Sequence, residues 1–312
     1  MKPKIIGIGE LLWDMLPTGP RMGGAPANFA CHAKALGADA AVISRVGADE
    51  SGDRLVKKLR SLGVSTEGVT TDPLNPTGTV EVNLGIDGQP CFKIIPGVAW
   101  DHLAVTPELT QLATGADAIC FGSLGQRSAS SRDTIRHLVS STPSGALRVF
   151  DVNLREDYFT PEILDESLKL ANICKLSDAE LPVIAGMLDL PGDTRSQLSR
   201  LLAAYGLRLI VFTRGGEGSI LTDGSHWCEH AGVPTEVRDT IGAGDSFTST
   251  VVMGLLQGWT LEKTSATANE IASFVCSHDG AVPNLPQSLR DRFHWHAWEP
   301  PNSRRQGVHD RI

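Results

Sequence analysis

Short apolar runs alternate along the chain with segments whose apolar residues have helical spacing. A buried strand is predicted at residues 5–8, and a glycine-rich turn then leads into an alanine-rich helix over 23–37 that Gly37 can end. A strand at 41–45 and a helix at 51–62 repeat the pattern. Further strand-like runs lie at 118–121, 148–152, 173–176 and 209–213, with helical spacing at 130–139 and 197–205. This order predicts an α/β fold of three layers, a mostly parallel sheet flanked by helices.

One stretch interrupts the alternation. Residues 77–95 form two extended runs around the Asp-Gly pair at 87–88, which is a hairpin turn signal. We therefore expect a small β lid beside the main sheet, with elements around 11–22 and 76–100.

The composition limits the class of protein. Hydrophobic residues make up 41% and charged residues 21% of the 312 positions, which fits a chain with a large core and excludes disordered and collagen-like proteins. No repeat or change of composition marks a second full domain, so we expect one domain over residues 1–298. The segment 299–312 contains a Pro-Pro pair and two adjacent arginines, and it is predicted to be a loose tail.

Charge and apolar length exclude several partners. The chain has 28 Lys and Arg against 36 Asp and Glu, a formal charge of −8, so no positive excess attracts nucleic acid or an anionic membrane surface. Nowhere do 18 apolar residues run together, and the N-terminus lacks a signal-peptide core. We expect a cytoplasmic protein with no nucleic-acid or membrane partner.

The cysteines and histidines form no recognisable disulfide or metal pattern. The six cysteines are far apart without a CxxC pair, which predicts reduced and mostly buried thiols. His226, Cys228 and His230 would share one face of a strand and could bind a metal. The triplet has no fourth ligand in sequence, so ordinary strand packing is the favoured interpretation.

The strongest chemical signal lies at residues 239–247, which read Asp-Thr-Ile-Gly-Ala-Gly-Asp-Ser-Phe and lead into a helix. Gly242, Ala243 and Gly244 let the backbone approach a ligand, and the free N–H groups of a helix's first turn form an anion site. Asp245 in that turn could take a proton from a hydroxyl beside a phosphate, as phosphoryl transfer requires. Taken alone, the pattern is better explained by a glycine turn with an acid near a helix N-terminus.

Two segments together carry a resemblance to a known family. Residues 239–247 resemble the C-terminal signature of the ribokinase-like sugar kinases, also called the phosphofructokinase-B family. Residues 23–30, Gly-Gly-Ala-Pro-Ala-Asn-Phe-Ala, resemble its N-terminal signature, and the resemblance runs from about residue 5 to 289. Bacterial fructokinases look most similar in 23–28, 44–47, 76–80, 97–101 and 120–124. The resemblance implies a ribokinase-like kinase domain that uses ATP and Mg²⁺, with K⁺ bound in many relatives.

The resemblance also implies a sugar pocket. Asp14, Gly24 and Asn28 match sugar-binding positions, and Asn28 offers both a donor and acceptors to hydroxyl groups. Without the resemblance, Asp14 would be read as a solvated loop residue. Asn153 and Arg155 follow a predicted strand and resemble positions that face sugar and phosphate, although a plain surface arginine explains Arg155 equally well.

The nucleotide would bind further along the chain. Thr213, Gly215 and Gly218 match the family's nucleotide loop, and Asn269 resembles a position that lines the adenine pocket. The family's Asn-x-x-Glu element, which organises magnesium and its waters, reads Ser-Asp-Ala-Glu at 177–180.

Two ions are implied by these matches. Glu180 retains the glutamate of that element and is expected to hold Mg²⁺ through water. Asp239 and the loop 277–280 resemble parts of the monovalent-cation site of relatives, which would hold K⁺.

We therefore expect an ATP-dependent sugar kinase that phosphorylates a primary hydroxyl, with O6 of D-fructose as the leading candidate. Asp245 would take the proton, and residues 242–244 would stabilise the transferring phosphoryl group. The alternative enzyme hypothesis keeps this fold and changes the acceptor to ribose, a nucleoside, 2-keto-3-deoxygluconate or a sugar phosphate. A sugar phosphate would need a second anion site, for which Arg155, Arg45 and Arg127 are candidates.

A catalytically silent sugar sensor on the same scaffold is the alternative from another class, and the retained acid beside an anion site argues against it. The lid would close over the sugar with Phe92, Ile94 and the nearby Trp100, and it would provide contacts for a homodimer, as the resemblance implies.

Overall fold

The structure is a computed structural model that describes residues 1–84 and 90–295. The turn expected at 87–88 and the tail expected at 299–312 lie outside these residues. Across the described ranges the chain forms thirteen strands: β1 (Lys4–Ile8), β2 (Leu12–Leu16), β3 (Gly19–Gly23), β4 (Asp39–Gly47), β5 (Val69–Asp72), β6 (Gly78–Leu84), β7 (Pro90–Ile94), β8 (Ala118–Gly122), β9 (Leu147–Asp151), β10 (Ile173–Ser177), β11 (Leu209–Thr213), β12 (Ser219–Thr222) and β13 (Trp227–His230).

Helices separate most of these strands. In the same described ranges they are α1 (Ala25–Ala35), α2 (Glu50–Ser61), α3 (Pro107–Thr114), α4 (Ala129–Ser140), α5 (Pro161–Leu170), α6 (Leu181–Met187), α7 (Thr194–Tyr205), α8 (Ala243–Leu256), α9 (Leu261–Cys276) and α10 (Gln287–Arg290). Each strand and helix expected from the apolar pattern is present, with bounds that differ by a few residues at most.

The main sheet runs in the order β13-β12-β11-β10-β9-β8-β1-β4-β5. Its strands pair in parallel except at one edge, where β12 pairs antiparallel with both β11 and β13. Helices cover both faces: Ile5 of β1 packs in the core shared with α1, α2, α8 and α9, whereas Ile6 and Ile8 pack in the core shared with α3 to α7. This alternation explains why the central strands read as continuous apolar runs, and the predicted three-layer α/β fold is confirmed.

A second, smaller sheet of order β3-β2-β6-β7 forms the lid. The chain enters it twice in the described residues, once between β1 and α1 and once between β5 and the short 3₁₀ turn Ala99–His102. Ile94 and Trp100 are buried with Leu12, Val80 and Leu124 in a small core at the joint between lid and main body. These two side chains therefore anchor the lid, where the sequence suggested that they cover the sugar; the side chain of Phe92 lies outside the described set.

The structure describes the surroundings of five cysteines and of the histidines at 226 and 230. The five cysteines with described side chains are free, and four of them are buried. His226 pairs with Glu262, and His230 accepts a hydrogen bond from the backbone of Gly232. No cluster of potential metal ligands occurs among the described residues. None of the helices described is long and apolar enough to cross a membrane.

Candidate active site

The candidate site lies where parallel strands of the main sheet end and helices α1 and α8 begin, the usual ligand position in an open α/β sheet. Helix α8 starts at Ala243, and Gly242 caps it in the left-handed conformation with φ 79°. A Cβ atom on Gly242 would lie 2.3 Å from the carbonyl oxygen of Ala281. Glycine is therefore required for this turn, whose first backbone N–H groups form the proposed anion site.

Asp245 lies in the first turn of α8 and joins the two signature segments. Its Oδ2 accepts a hydrogen bond of 2.8 Å from Nδ2 of Asn28, which is 217 residues away in sequence. Burial, together with the Asp151 carboxylate, raises the pKa of Asp245 to about 6, although the bond from Asn28 opposes this shift. At neutral pH the carboxylate is thus mainly ionised and more basic than an exposed aspartate, which suits a proton acceptor.

A buried polar network lies near Asp245. Lys175 of β10 lies beside Asp151 of β9 in the strand register, and its Nζ donates to Oδ1 of Asp151 over 3.0 Å. Thr248 of α8 donates to the other oxygen of Asp151 at 2.9 Å. Burial alone would lower the pKa of Lys175, but the Asp151 carboxylate raises it above its ordinary range.

Lys175 also reaches the proposed anion site. Its Nζ lies 3.1 Å from the position that a Cβ on Gly244 would occupy. The first turn of α8 is therefore backed by a charged ammonium group as well as by the helix dipole. Neither Lys175 nor Thr248 stood out in sequence as a site residue, although a lysine inside an apolar strand beside a strand-end aspartate is the signal that could have found both.

The expected sugar-binding residues Asp14, Gly24 and Asn28 lie around the start of α1. Asp14 belongs to β2 of the lid, and burial raises its pKa to about 6. A Cβ on Gly23 would meet Oδ2 of Asp14 at 2.4 Å, and one on Gly24 would meet the carbonyl oxygen of Glu10 at the same distance. The glycine pair thus lets the lid strand and the start of α1 approach each other closely. Oδ1 of Asn28 is buried with no hydrogen-bond partner among the described residues and is left to accept from a ligand.

Asn153 and Arg155 follow β9 at the edge of the same pocket. Asn153 has φ 40°, which turns the chain as it leaves the strand. Arg155 is exposed, yet its positive charge opposes part of the rise that burial causes in the pKa of Asp14, Asp245 and Glu10. Arg155 is therefore a surface residue whose guanidinium acts on the carboxylates of the pocket, and its contact with a substrate stays a prediction.

Glu10 is a site residue that the sequence reasoning missed. It follows β1 directly, is 2% exposed, and accepts a hydrogen bond of 3.1 Å from the backbone N of Ala25. Gly24 has no side chain that could cap α1, so Glu10 supplies this cap from a neighbouring segment. Burial raises the pKa of Glu10 to about 7. Its position directly after a buried strand was the available signal.

The expected nucleotide residues occupy two different environments. Thr213 ends β11 and the loop after it turns through Gly215 (φ 52°) and Gly218 (φ 83°). A Cβ on Gly215 would meet no atom within 4 Å, whereas one on Gly218 would lie 2.0 Å from the carbonyl oxygen of His230. The tip of this loop is open to a ligand, and its base is packed against β13.

Asn269 is held inside the protein. Its Nδ2 donates to Oγ of Ser219 at 2.9 Å and to the backbone oxygen of Ser265 at 2.8 Å, which ties α9 to β12. The side chain is 7% exposed. A contact between Asn269 and an adenine ring stays a prediction.

The two expected ion-binding residues already have partners. Oε1 of Glu180 accepts from the backbone N of Leu154, and Oε2 accepts from the backbone N and the hydroxyl of Ser177. Asp239 accepts from the backbone of Ile241 and Gly280 and pairs with Arg21 at 3.3 Å. Glu180 retains lone pairs for water, in keeping with an indirect role, whereas a monovalent cation at Asp239 would share the carboxylate with a guanidinium.

The other two candidate arginines are held in ion pairs with aspartates. Arg127 makes a two-point ion pair with Asp101, with 2.7 and 2.8 Å bonds, and its guanidinium lies 3.9 Å from the ring centre of Trp100. Arg45 pairs with Asp72 at 3.2 Å. Because both guanidinium groups are neutralised, Arg155 is the one of the three without such a carboxylate pair in the described residues.

Comparison with known proteins identifies the class. The model of the pfkB family carbohydrate kinases matches residues 18–288, and the chain belongs to this family. A putative sugar kinase of Pyrococcus horikoshii is 29% identical over 296 residues, which cover 89% of this chain and 91% of that protein. A fructokinase of Salmonella typhimurium is 29% identical over 304 residues, which cover 92% of this chain and 97% of the relative.

Solved structures confirm the ribokinase-like fold with its separate lid sheet. The crystal structure of the Pyrococcus horikoshii sugar kinase matches with a TM-score of 0.77 and 28% identity, covering 93% of this chain and 96% of that one. A crystal structure of a fructokinase with bound ATP from Xylella fastidiosa matches with a TM-score of 0.81 and 22% identity, covering 94% and 98%.

Proposed function

We propose that the protein transfers the γ-phosphoryl group of ATP to the primary hydroxyl of a free sugar. D-fructose is the leading candidate for this sugar, and its product would be fructose 6-phosphate. The observation that supports this proposal is the hydrogen bond between Asn28 and Asp245, because it joins the side chain proposed to bind the sugar to a buried carboxylate at a helix N-terminus. A sugar held by Asn28 and Asp14 would present its hydroxyl to Asp245 beside the anion site.

The residues of the main body supply positioning and charge. Asp245 accepts the proton of the attacking hydroxyl late in the reaction, because a carboxylate is a much weaker base than an alkoxide. The backbone N–H groups of residues 242–244 stabilise the negative charge of the transferring group, and Lys175 adds a positive charge behind Gly244. These groups are fixed before the substrate arrives, so little reorganisation is needed.

ATP and Mg²⁺ are the proposed cosubstrate and ion, as in the neighbour whose crystal structure from E. coli holds both. Bound Mg²⁺ would neutralise charge on the phosphates. The open loop at Gly215 offers backbone groups to the nucleotide, and Glu180 would hold the ion through water. We also propose that K⁺ binds near Asp239, and we expect the activity to rise when K⁺ is added.

A free sugar is favoured over a sugar phosphate for an electrostatic reason. A second phosphate would need its own cationic site, and two of three candidate arginines are committed to Asp72 and Asp101. The pocket carboxylates of Asp14, Glu10 and Asp245 would repel an additional anion near Arg155. The choice of fructose among free sugars rests on relatives named fructokinase.

The test is a panel of ATP-consumption assays with fructose, ribose, glucose, 2-keto-3-deoxygluconate and fructose 6-phosphate. We expect kcat/KM for fructose to exceed that for ribose and for fructose 6-phosphate at least about tenfold, which corresponds to roughly 1.4 kcal/mol of transition-state binding. Equal or reversed values would remove fructose as the substrate, and no turnover with any sugar would contradict kinase activity.

A further inference from the structure

A buried histidine shares the active face of α1 with Asn28. His32 lies one helical turn after Asn28 and is 0% exposed. Its Nε2 lies 2.9 Å from the backbone oxygen of Ala281. Because a carbonyl oxygen only accepts, Nε2 carries the proton and donates it.

The ring is also neutral. Burial lowers the pKa of His32 to about 4, so no second proton is bound near neutral pH. Nδ1 is buried without a hydrogen-bond partner among the described residues. The single bond to Ala281 is therefore the polar interaction that orients this side chain, and core packing alone would be served better by an apolar residue.

Ala281 in turn forms the wall behind the anion site. A Cβ on Gly242 would lie 2.3 Å from the oxygen and 2.7 Å from the Cα of Ala281. The preceding residue, Gly280, donates its backbone N–H to Asp239 at 2.9 Å, so the loop is fixed on both sides. Because Ala281 packs against Gly242, a displacement of Ala281 would allow Gly242 to shift. The first backbone N–H groups of α8 would then shift as well.

We propose that His32 is a positioning residue of the phosphoryl-transfer site, which holds the Ala281 backbone so that the Gly242 turn keeps its place relative to α1. This inference rests on the proposed function and deepens it. Helix α1 and its N-cap then have three roles. Gly24 borders the proposed sugar pocket, Asn28 donates a hydrogen bond to the proton acceptor Asp245, and His32 fixes the anion site. The sugar and the phosphoryl group would thereby be aligned by the same helix.

The test compares variants that differ in their ability to donate at the same place. His32→Met keeps a buried side chain of similar length without a donor, and His32→Asn has a donor that is too short to reach. His32→Gln keeps an N–H group near the position of Nε2. Cys31→Ala is the matched control, because Cys31 is the neighbouring residue of α1, is 2% exposed and packs in the same core.

We expect His32→Met and His32→Asn to lower kcat at least about tenfold, with the KM for sugar within about threefold, since a displaced donor mainly affects the transition state. His32→Gln should recover kcat to within about threefold of wild type. Cys31→Ala should keep kcat per folded molecule, even where thermal unfolding shows a loss of stability. An unchanged kcat in His32→Met, or an equal loss in the Met and Gln variants, would overturn the proposal.

A second readout does not depend on the sugar. The affinity for ADP with Mg²⁺ is measured by calorimetry with and without aluminium fluoride, a mimic of the transferring phosphoryl group. We expect aluminium fluoride to tighten binding in the wild type and in His32→Gln, and this gain to fall about tenfold in His32→Met. A gain that persists in His32→Met overturns the role of His32 alone, whereas no gain in the wild type contradicts the anion site and the proposed function with it.

Discussion

The two ends of the candidate site are built differently. At the proposed phosphoryl end, Asp245 accepts a hydrogen bond from Asn28 of α1 and lies near the buried Lys175–Asp151 pair of the main sheet. At the sugar end, the pocket borders a four-stranded lid whose residue Asp14 has a raised pKa. In the proposed reaction, the chemistry would therefore depend on backbone groups and buried charge, whereas the choice of acceptor would depend on side chains of a small sheet.

The largest expected effect concerns the phosphoryl end. Asp245→Asn should lower kcat by about 10²–10⁴, because the proton acceptor is lost while the hydrogen bond from Asn28 can persist. Sugar and ATP affinities should stay within about threefold, as measured by calorimetry. A variant with near wild-type kcat would show that the two ends do not differ in the way described.

The next effect concerns the lid joint. Arg127→Met should lower the free energy of unfolding by about 3–5 kcal/mol, because Asp101 would remain buried without its cationic partner. Arg45→Met is the matched control: the Arg45 side chain is 22% exposed, against 6% for Arg127, so its loss should cost less. Equal losses in urea unfolding would mean that the lid does not depend on this buried pair.

The sugar end should respond in affinity instead of rate. Asp14→Ala should weaken sugar binding by about 1–3 kcal/mol, because a sugar hydroxyl loses its buried acceptor, while ATP binding is unchanged. Met15→Ala serves as the control, since Met15 is the next residue of the same strand and is 44% exposed. Unchanged fructose affinity in Asp14→Ala would remove Asp14 from the pocket.

The smallest effect is on stability and depends on pH. Burial raises the pKa of Asp245 from 3.8 to about 6, so the folded state binds more protons than the unfolded state between these values and stability falls as the pH rises through this window. Asp245→Asn removes the ionisation and should raise the free energy of unfolding by on the order of 1–3 kcal/mol at pH about 7.

This gain should vanish at pH about 4, where Asp245 of the folded protein is already protonated. Urea unfolding at the two pH values is the measurement. A variant that is less stable at neutral pH would show that Asn28 and Lys175 compensate the ionised carboxylate more than burial penalises it.

Much of the main body could be predicted because its signals are local. The apolar run at 173–176 predicted β10, and the small residues at 242–244 predicted the turn before α8, since both depend on neighbours in sequence. That Asn28 and Asp245 belong to one site was implied only by the resemblance, because 217 residues separate the two positions, and their direct hydrogen bond was not predicted.

The lid joint and the supporting charges could not be predicted in the same way. Arg127 and Trp100 were each candidates for ligand contact, but in the structure the Arg127 guanidinium stacks on the Trp100 ring. Lys175 and His32 lie within regular elements, and their roles depend on partners that only the packing of strands and helices brings near. A polar side chain acquires its function from long-range contacts, which periodicity does not encode.

The two visits of the chain to the lid have a mechanical consequence. Each visit has an entry and an exit, so within the described residues four backbone segments connect the lid to the body, at 9–11, 24, 73–77 and 95–98. A sheet connected to the body by four backbone segments cannot rotate about a single hinge. Its easiest movement is expected to be a twist of the whole small sheet. A backbone cut in any one of these segments would leave three connections, so the lid should remain attached and in register.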